Sequence, residues 1–460
     1  MADFTNFCCR SGGSNTNAGT RTGSTTIPGT AADLTYAGGG WVQGTRVFTV
    51  VAANPVADGV AVGDFANVGG TFIGRVSARD TLTITIDGTK KVGSSPATGT
   101  LTLKIGGAFA GPSGAGAFPF DLGEWGDCKN TAGDPVRINF KNDQTYAPTA
   151  AWTLSNTTAP AVNWQGFTTA YGDLGKAIIQ GPASGASFIL LTLTGGTNNP
   201  LRDFSITRNG STGNAVGVSG NNLRFTRVSI RDMMGNGLTH NSTECFLDSC
   251  EFDSNAALGM SMGSDVLHID RCRFTRNGTG GVAQAGGNIS GSDSLFANNT
   301  GIGLSITGSP RLRNTDFYNN STYGVSVQGA VPIFFENCNF LKNTTAGILA
   351  ITGVGSEIVI RNCGFGVGTQ ANGTNVSSSG TLVETGTVNY ATGITPWTAP
   401  TTGDFTVTLA AAINAGFGTF TQLATSYNGT LNSPNIGCST AVVAAGGLIR
   451  NAGTHGGCGA

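Results

Sequence analysis

"CEFDSN" at 250–255, "CRFTRN" at 272–277 and "CNFLKN" at 338–343 share one frame: a small residue, Phe two positions on, and Asn three beyond the Phe. The frame returns with Ser or Thr at its head, as "SLFANN" at 294–299 and "TDFYNN" at 315–320. With the Phe as marker, Ile206, Ile230, Phe252, Phe274, Phe296, Phe317, Phe340 and Phe365 recur about every 22 residues. Two before the marker stand Val228, Cys250, Cys272, Ser294, Thr315, Cys338 and Cys363, all small. Three after it stand Asn209, Asn255, Asn277, Asn299, Asn320 and Asn343, and a Gly-apolar pair such as Gly259-Met260 or Gly303-Leu304 closes each unit.

Fixed columns at such a period mean a stacked repeat. The apolar residues alternate, as in Cys250-x-Phe252, Ile333-x-Phe335 and Ile358-x-Ile360, which is the period of a strand and not of a helix. Each unit is then one coil of short strands and turns, and the coils stack at ~4.8 Å by parallel pairing with right-handed crossovers. The small residue and the Phe are expected to point inward. The Asn is expected at a tight bend in left-handed geometry, passing amide hydrogen bonds along the stack.

Composition agrees with an all-β chain. Only 11% of the 460 residues are charged, the net charge is -1, and there are 72 Gly and 25 Phe. So few Lys and Arg cannot match a nucleic-acid backbone, while 39% hydrophobic residues can supply a core. No apolar run approaches the ~20 residues that span a bilayer. "MADFTNFCCRSGGSNTN" has no basic segment followed by an apolar one, so the expectation is synthesis in a cytoplasm without Sec export. The cysteines have no zinc spacing and read as reduced, structural residues. No motif implies a metal or another cofactor.

The columns resemble the right-handed parallel β-helix, the pectate-lyase-like superfamily. The resemblance is carried by 201–365 and extends through "GDPVRINF", "AIIQGP" and "FILLTLTG" over 134–200, with "NSPNIGCSTAV" similar to the closing segment of such proteins. It implies the architecture but not an activity, because the fold hosts lyases, hydrolases, adhesins and viral spikes. Ahead of the stack, 33–120 contain five strand-like runs, from "GTRVFTVVA" to "GTLTLKIGG", expected to form a small β-barrel or sandwich. The stretch beginning "GDFANVGGTFIGRVSARD" resembles phage structural proteins. The expected organisation is an extended arm over 1–32, a β domain over 33–120, the β-helix over 121–400 and a C-terminal β segment over 401–460.

The candidate catalytic residues are few. Asp248 and Asp270 occupy the same place on successive coils, which would set them about 5 Å apart, the spacing of a retaining glycosidase, and Glu251 lies close in sequence to Asp248. Arg271 and Arg273, with Arg227, would neutralise them as ordinary surface ion pairs, so the expectation is no catalytic site here. Asn314-Thr315-Asp316 matches one polygalacturonase motif, but the Asp-Asp pair and Arg-Ile-Lys that accompany it in those enzymes are absent. His240, His268 and His455 have no partner at defined spacing.

The first function class is a structural virion protein of a phage, a capsid decoration or a tail or fibre component that projects a rigid β-helix and contacts a host surface or glycan. The alternatives are a tailspike-like polysaccharide lyase or hydrolase, and a bacterial surface adhesin outside the cell. Expected partners are capsid or tail proteins, other copies of the chain as in a homotrimer, and a surface polysaccharide. Phe4, Phe7, Cys8 and Cys9 in the arm are read as anchors pressed into a neighbour. Removing 1–32 is therefore expected to spare the stack and abolish incorporation.

Overall fold

The computed structural model describes residues 5–21, 26–112, 118–120, 124–128, 136–148, 152–155, 162–181, 191–194, 197–208, 216–218, 221–241, 243–263, 266–329, 331–351, 357–366, 374–378 and 380–390. Beyond them it describes the strands Trp397–Ala399, Asp404–Val407, Gln422–Ala424 and Gly437–Ser439. Phe4, Asn209, His455 and most of the expected segment 401–460 lie outside the described residues. Two compact units divide the chain, Met1–Phe246 and Leu247–Ala460. Strands build both, and no described helix is long and apolar enough to cross a membrane.

In the second unit each coil contributes one short strand to each of three parallel sheets. Val266–Asp270, Ile289–Ser292, Pro310–Arg313, Ile333–Glu336 and Glu357–Arg361 follow one another in the first sheet. The second sheet stacks Glu251–Asp253, Arg273–Thr275, Leu295–Ala297, Asp316–Tyr318 and Asn339–Leu341. The third stacks Leu258–Met262, Gly280–Gln284, Ile302–Ile306, Tyr323–Gln328 and Ala346–Ile351. In-register pairing puts Phe on Phe: the rings of Phe252, Phe274, Phe296, Phe317 and Phe340 lie 4.9–5.0 Å apart and within 10° of parallel. All five are fully buried. The ring spacing is the strand spacing of a sheet, so the side chains inherit the backbone repeat.

The Asn column forms a hydrogen-bonded ladder. Asn277 Nδ2 donates to Asn299 Oδ1 (3.0 Å) and to the carbonyl of Phe252 (3.1 Å), and its Oδ1 accepts from Asn255 Nδ2 (2.9 Å) and the Asn255 backbone N–H (3.2 Å). Both amide hydrogens and both lone pairs are therefore used, the full capacity of the group. Asn299 and Asn320 each donate onward to the next amide at 2.9 Å, and Asn343 donates to the carbonyl of Phe317 at 3.0 Å.

The left-handed residue is not the ladder Asn but the one before it. Ser254, Arg276, Asn298, Asn319 and Lys342 have φ of 51–57°, and Asn255, Asn277, Asn299, Asn320 and Asn343 are not among the positive-φ residues. The bend turns the chain just ahead of the Asn, which leaves the amide free to face inward and be buried. A second left-handed corner precedes the small-residue column at Ser249, Arg271, Asp293, Asn314, Asn337 and Asn362. Its side chains form an outer ladder, in which Asn314 Nδ2 donates to Asp293 Oδ1 (3.1 Å) and Asn337 Nδ2 to Asn314 Oδ1 (3.3 Å). This gives Asn314 a structural role.

The first unit begins with a closed antiparallel barrel of six strands, Leu34–Val42, Val47–Thr49, Thr83–Gly93, Phe72–Arg79, Phe65–Val68 and Gly99–Ile105 in spatial order. Five strands were expected. Leu34–Val42 is the addition, hidden in sequence by Gly38, Gly39 and Gly40. Glycine is needed there: Gly38 has φ of +70°, and a Cβ on Gly39 would lie 2.3 Å from the Phe48 ring. After the barrel, coils like those of the second unit start at Val136–Lys141, followed in the same sheet by Asn163–Phe167, Thr197–Arg202 and Asn221–Thr226.

The arm is extended and seated in this same unit. Thr5–Cys9 pairs in parallel with Val136–Lys141, from Thr5↔Val136 to Cys9↔Phe140, and so forms the first rung of the sheet. Phe7, Cys8 and Cys9 are fully buried within the chain itself. The Phe7 ring meets Phe65 of the barrel at 4.7 Å, Trp125 at 4.7 Å and Phe109 at 6.2 Å. Farther along, Asn17 Nδ2 donates to the carbonyls of Ala108 (2.8 Å) and Thr30 (2.9 Å), and Asn67 Nδ2 donates to the Asn17 carbonyl (2.9 Å). Of the anchors assigned to a neighbour, Phe7, Cys8 and Cys9 thus serve this chain's own fold.

Candidate functional site

Asp248 and Asp270 end successive strands on the first sheet, as their spacing required. Their bonds are different. Asp248 is held by the Arg271 guanidinium, while Asp270 Oδ1 accepts from the backbone N–H and the hydroxyl of Ser292, both at 3.1 Å. Glu251 lies beyond the Ser249–Cys250 corner on the second sheet, so the fold puts it on a different face from Asp248. That face is not solvated. Glu251, Asp253 and Arg273 are each 6% exposed, and Leu295, Ala297, Tyr318 and Leu341 on the same strands are buried.

The neutralising arginines are distributed differently from the expectation. Arg227 forks onto Asp203 (2.6 and 2.9 Å) in the first unit. Arg276 holds Asp253, Nε to Oδ1 at 2.9 Å, and Thr275 Oγ1 adds a bond of 2.7 Å. Arg273 stands beside Glu251 in register. A left-handed corner arginine and a carboxylate one coil earlier make the Arg227–Asp203, Arg271–Asp248 and Arg276–Asp253 pairs, a rule that sequence spacing alone does not expose.

His240 and the eight described buried cysteines belong to the packing. His240 is fully buried, and burial pushes its pKa down to about 4. His268 faces outward, with Nδ1 2.7 Å from the Ser290 hydroxyl. Cys8, Cys9, Cys128, Cys245, Cys250, Cys272, Cys338 and Cys363 are free and buried. Burial raises the thiols of Cys272 and Cys338 well above 9.0 and that of Cys8 to about 12, so they stay protonated and unreactive. Among the described residues no group of three or more His, Cys, Asp or Glu is placed to hold a metal ion.

The sequence reading missed a groove of about 680 Å³ on the outer face of the first sheet in the second unit. Pairing sets Ser290, Arg311, Phe334 and Val359 in one outward row and Ser292, Arg313, Glu336 and Arg361 in the next. The strand Ile289–Ser292 opens the groove because its outward side chains are only serines. Phe334, partly buried, sits between two guanidiniums, Arg313 at 5.9 Å and Arg361 at 5.5 Å from its ring centroid, within the range of a cation–π contact. Arg313 also bonds Glu336 at 2.9 Å. Among the described residues Arg311 and Arg361 have no carboxylate partner. The available signal was three outward arginines over three successive coils in a chain with 25 Lys and Arg in 460 residues.

A second feature is apolar. Val42, Val51, Val56, Val62 and Leu82 are 42–64% exposed, and all five belong to the barrel strands or their connections. Val51 and Leu82 belong to adjoining chain segments: the N–H of Val50, the buried residue before Val51, donates to the Leu82 carbonyl at 2.8 Å.

The sequence model of the family described as "Right handed beta helix region" matches residues 214–365 and 263–399, in agreement with the coils, and the fold is a right-handed parallel β-helix with a small antiparallel barrel. Solved structures similar to the chain include pectate lyase Pel9A, at 11% identity over 61% of this chain and 78% of that one, with a TM-score of 0.36. Tailspike protein 3 of Bacteriophage CBA120 is similar at 15% identity over 55% of this chain and 53% of that one, with a TM-score of 0.35. The catalytic unit of the GH87 alpha-1,3-glucanase from Streptomyces thermodiastaticus is similar at 14% identity, covering 78% and 88%, with a TM-score of 0.31. No curated protein matches the chain.

Proposed function

We propose that this chain is a structural protein of a phage particle, attached through its N-terminal barrel and displaying the β-helix toward a host surface. The observation that carries the reading is the placement of the exposed apolar side chains. Val51 at 64% and Leu82 at 57% exposed stand on adjoining segments of a barrel whose core is filled by its own buried side chains. Such a patch on an otherwise closed barrel is suited to contact with another protein. The β-helix complements it with internally saturated ladders and stacked rings, a construction that gives stiffness rather than a mobile catalytic site. Of its candidate carboxylates, Asp248 is held by Arg271 and Asp270 by Ser292. Capsid or tail proteins are the partners this reading assigns, and a homotrimer is one arrangement that would bury the patch.

The test is the variant Val51→Asp with Leu82→Asp. Both side chains are on the surface, so circular dichroism and the melting midpoint are expected to stay as they are while incorporation into particles is lost. Unchanged incorporation would overturn the attachment surface. Cleavage of a polysaccharide by the purified chain, abolished in Asp248→Asn with Asp270→Asn, would overturn the non-enzymatic role.

A further inference from the structure

We infer that the groove on the first sheet of the second unit is a binding site for a carboxylate-bearing glycan. Its chemistry is specific. Arg311, Arg313 and Arg361 line it against one lining carboxylate, Glu357, and Arg313 is already engaged by Glu336. Arg311 and Arg361 therefore present guanidinium forks that no described side chain satisfies, in a chain whose net charge is -1. A planar guanidinium matches a carboxylate with two parallel hydrogen bonds, and it is less strongly hydrated than an ammonium, so it exchanges water for such a ligand at modest cost.

Phe334 supplies the second element. Its ring lies in the same row as Arg311, one strand along, and has a guanidinium from each neighbouring strand near it. The half-covered ring offers an apolar surface on which the C–H face of a sugar can rest, while the arginines around it take up charge. A site with one aromatic platform and a few convergent polar groups is the usual construction of a small-ligand pocket. The third element is length. The row Ser290, Arg311, Phe334, Val359 crosses four strands, roughly 14 Å at the strand spacing of a sheet, and the serine end leaves the groove open for a chain to continue. A linear glycan fits that shape better than an isolated anion.

The floor is built to stay rigid. A Cβ on Gly291, between the two lining serines, would lie 1.8 Å from the Ile269 carbonyl oxygen, so the backbones of these two strands approach closely. Beneath it Leu267, Ile269, Ile289, Leu312, Ile333, Phe335 and Ile358 are buried core residues. The guanidiniums are thus mounted on strands fixed from below, which reduces the ordering cost of binding.

This inference rests on the surface-display reading only in taking a surface glycan as the source of the carboxylates; the site itself stands on the groove. The experiment uses the purified full chain and calorimetric titration at low salt with three probes: an oligosaccharide containing glucuronate, its carboxyl-reduced neutral counterpart, and a sulfated oligosaccharide of the same backbone. The expected result is binding of the first, weakened by added salt, and at least about tenfold weaker binding of the other two. Arg311→Ala with Arg361→Ala should lower affinity for the first by about a hundredfold, since each charged hydrogen-bonded contact is worth about tenfold or more. Arg361→Lys should recover only part of it, because a lysine cannot fork. Both arginines are exposed, so the melting midpoint should not move. Equal affinity for the neutral probe, tighter binding of the sulfated one, no binding of the glucuronate probe, or undiminished binding by the double variant would overturn the assignment. Particle incorporation is not measured here, so the attachment reading stands or falls separately.

Discussion

The coils of the second unit and the N-terminal part of the first unit solve the same problem, covering the ends and sides of strands, in opposite ways. In the second unit each side chain meets its own equivalent one coil away: Phe on Phe at 4.9–5.2 Å, amide on amide at 2.9–3.0 Å. At the N-terminus no contact repeats. Phe7 meets Phe65, Phe109 and Trp125, drawn from places far apart in the chain, and the first rung pairs residues 131 positions apart, Thr5 with Val136. A repeat spreads its stability over many small equivalent interfaces. A cap concentrates it in a few residues, and damage there is not shared.

The largest effect should therefore come from the cap. Phe7→Ala removes a fully buried ring with three aromatic neighbours and is expected to cost about 3–5 kcal/mol. Removing 1–20 also strips the edge of Val136–Lys141 and should abolish cooperative unfolding of the first unit in a denaturant titration. If the truncated chain melted like the intact one, the arm would be an appendage, as sequence reasoning alone expected, and the contrast drawn here would fail.

Next comes the ladder. Asn277→Ala leaves four partners to find new bonds: the Asn255 amide and backbone N–H, the Phe252 carbonyl and Asn299 Oδ1. All are buried, and the expected loss is about 3 kcal/mol, toward the upper end for one deleted polar side chain. Asn319→Ala, which removes an exposed bond to Asn298 Oδ1, should cost under about 1 kcal/mol by the same measurement. Equal midpoints for the two variants would mean that the inner ladder is ornamental.

What was legible in the sequence follows the same division. The Phe, Cys and Asn columns could be read because a stacked coil places like on like, so each structural requirement is written several times over. The first rung was illegible because Thr5–Cys9 has no repeat to announce it, and its partner strand lies beyond the whole barrel. Leu34–Val42 was hidden because three successive glycines interrupt its apolar alternation, although Gly39 is needed for the close approach of Phe48. The carboxylates Asp248 and Asp270 lie on neighbouring strands and Arg271 was named among their partners, but the Ser292 bonds to Asp270 and the turn of Arg227 to Asp203 were not read, because the direction of those side chains is fixed only by the backbone. The groove was missed because its arginines and its phenylalanine lie on different coils, in the outward positions that the column analysis passed over.

The smallest effect tests the position of the bend. Left-handed geometry costs a residue with a Cβ about 1–2 kcal/mol, and glycine escapes it. Ser254 has φ of 54°, and its hydroxyl makes a partly buried bond to Asp253 Oδ2 at 3.3 Å, long for a hydroxyl donor. Ser254→Gly should relieve the strain and give up little, offset in part by the greater freedom glycine has in the unfolded chain. The expected outcome is a gain of up to about 0.5 kcal/mol, or no change, in the denaturant midpoint. Asn255→Gly, one residue later, should lower it instead, because Asn255 Nδ2 donates into the ladder at 2.9 Å and the residue is outside the left-handed region. The reverse pattern, a loss at 254 and a gain at 255, would return the left-handed bend to the Asn column and show that the two corners had been assigned one residue out of place.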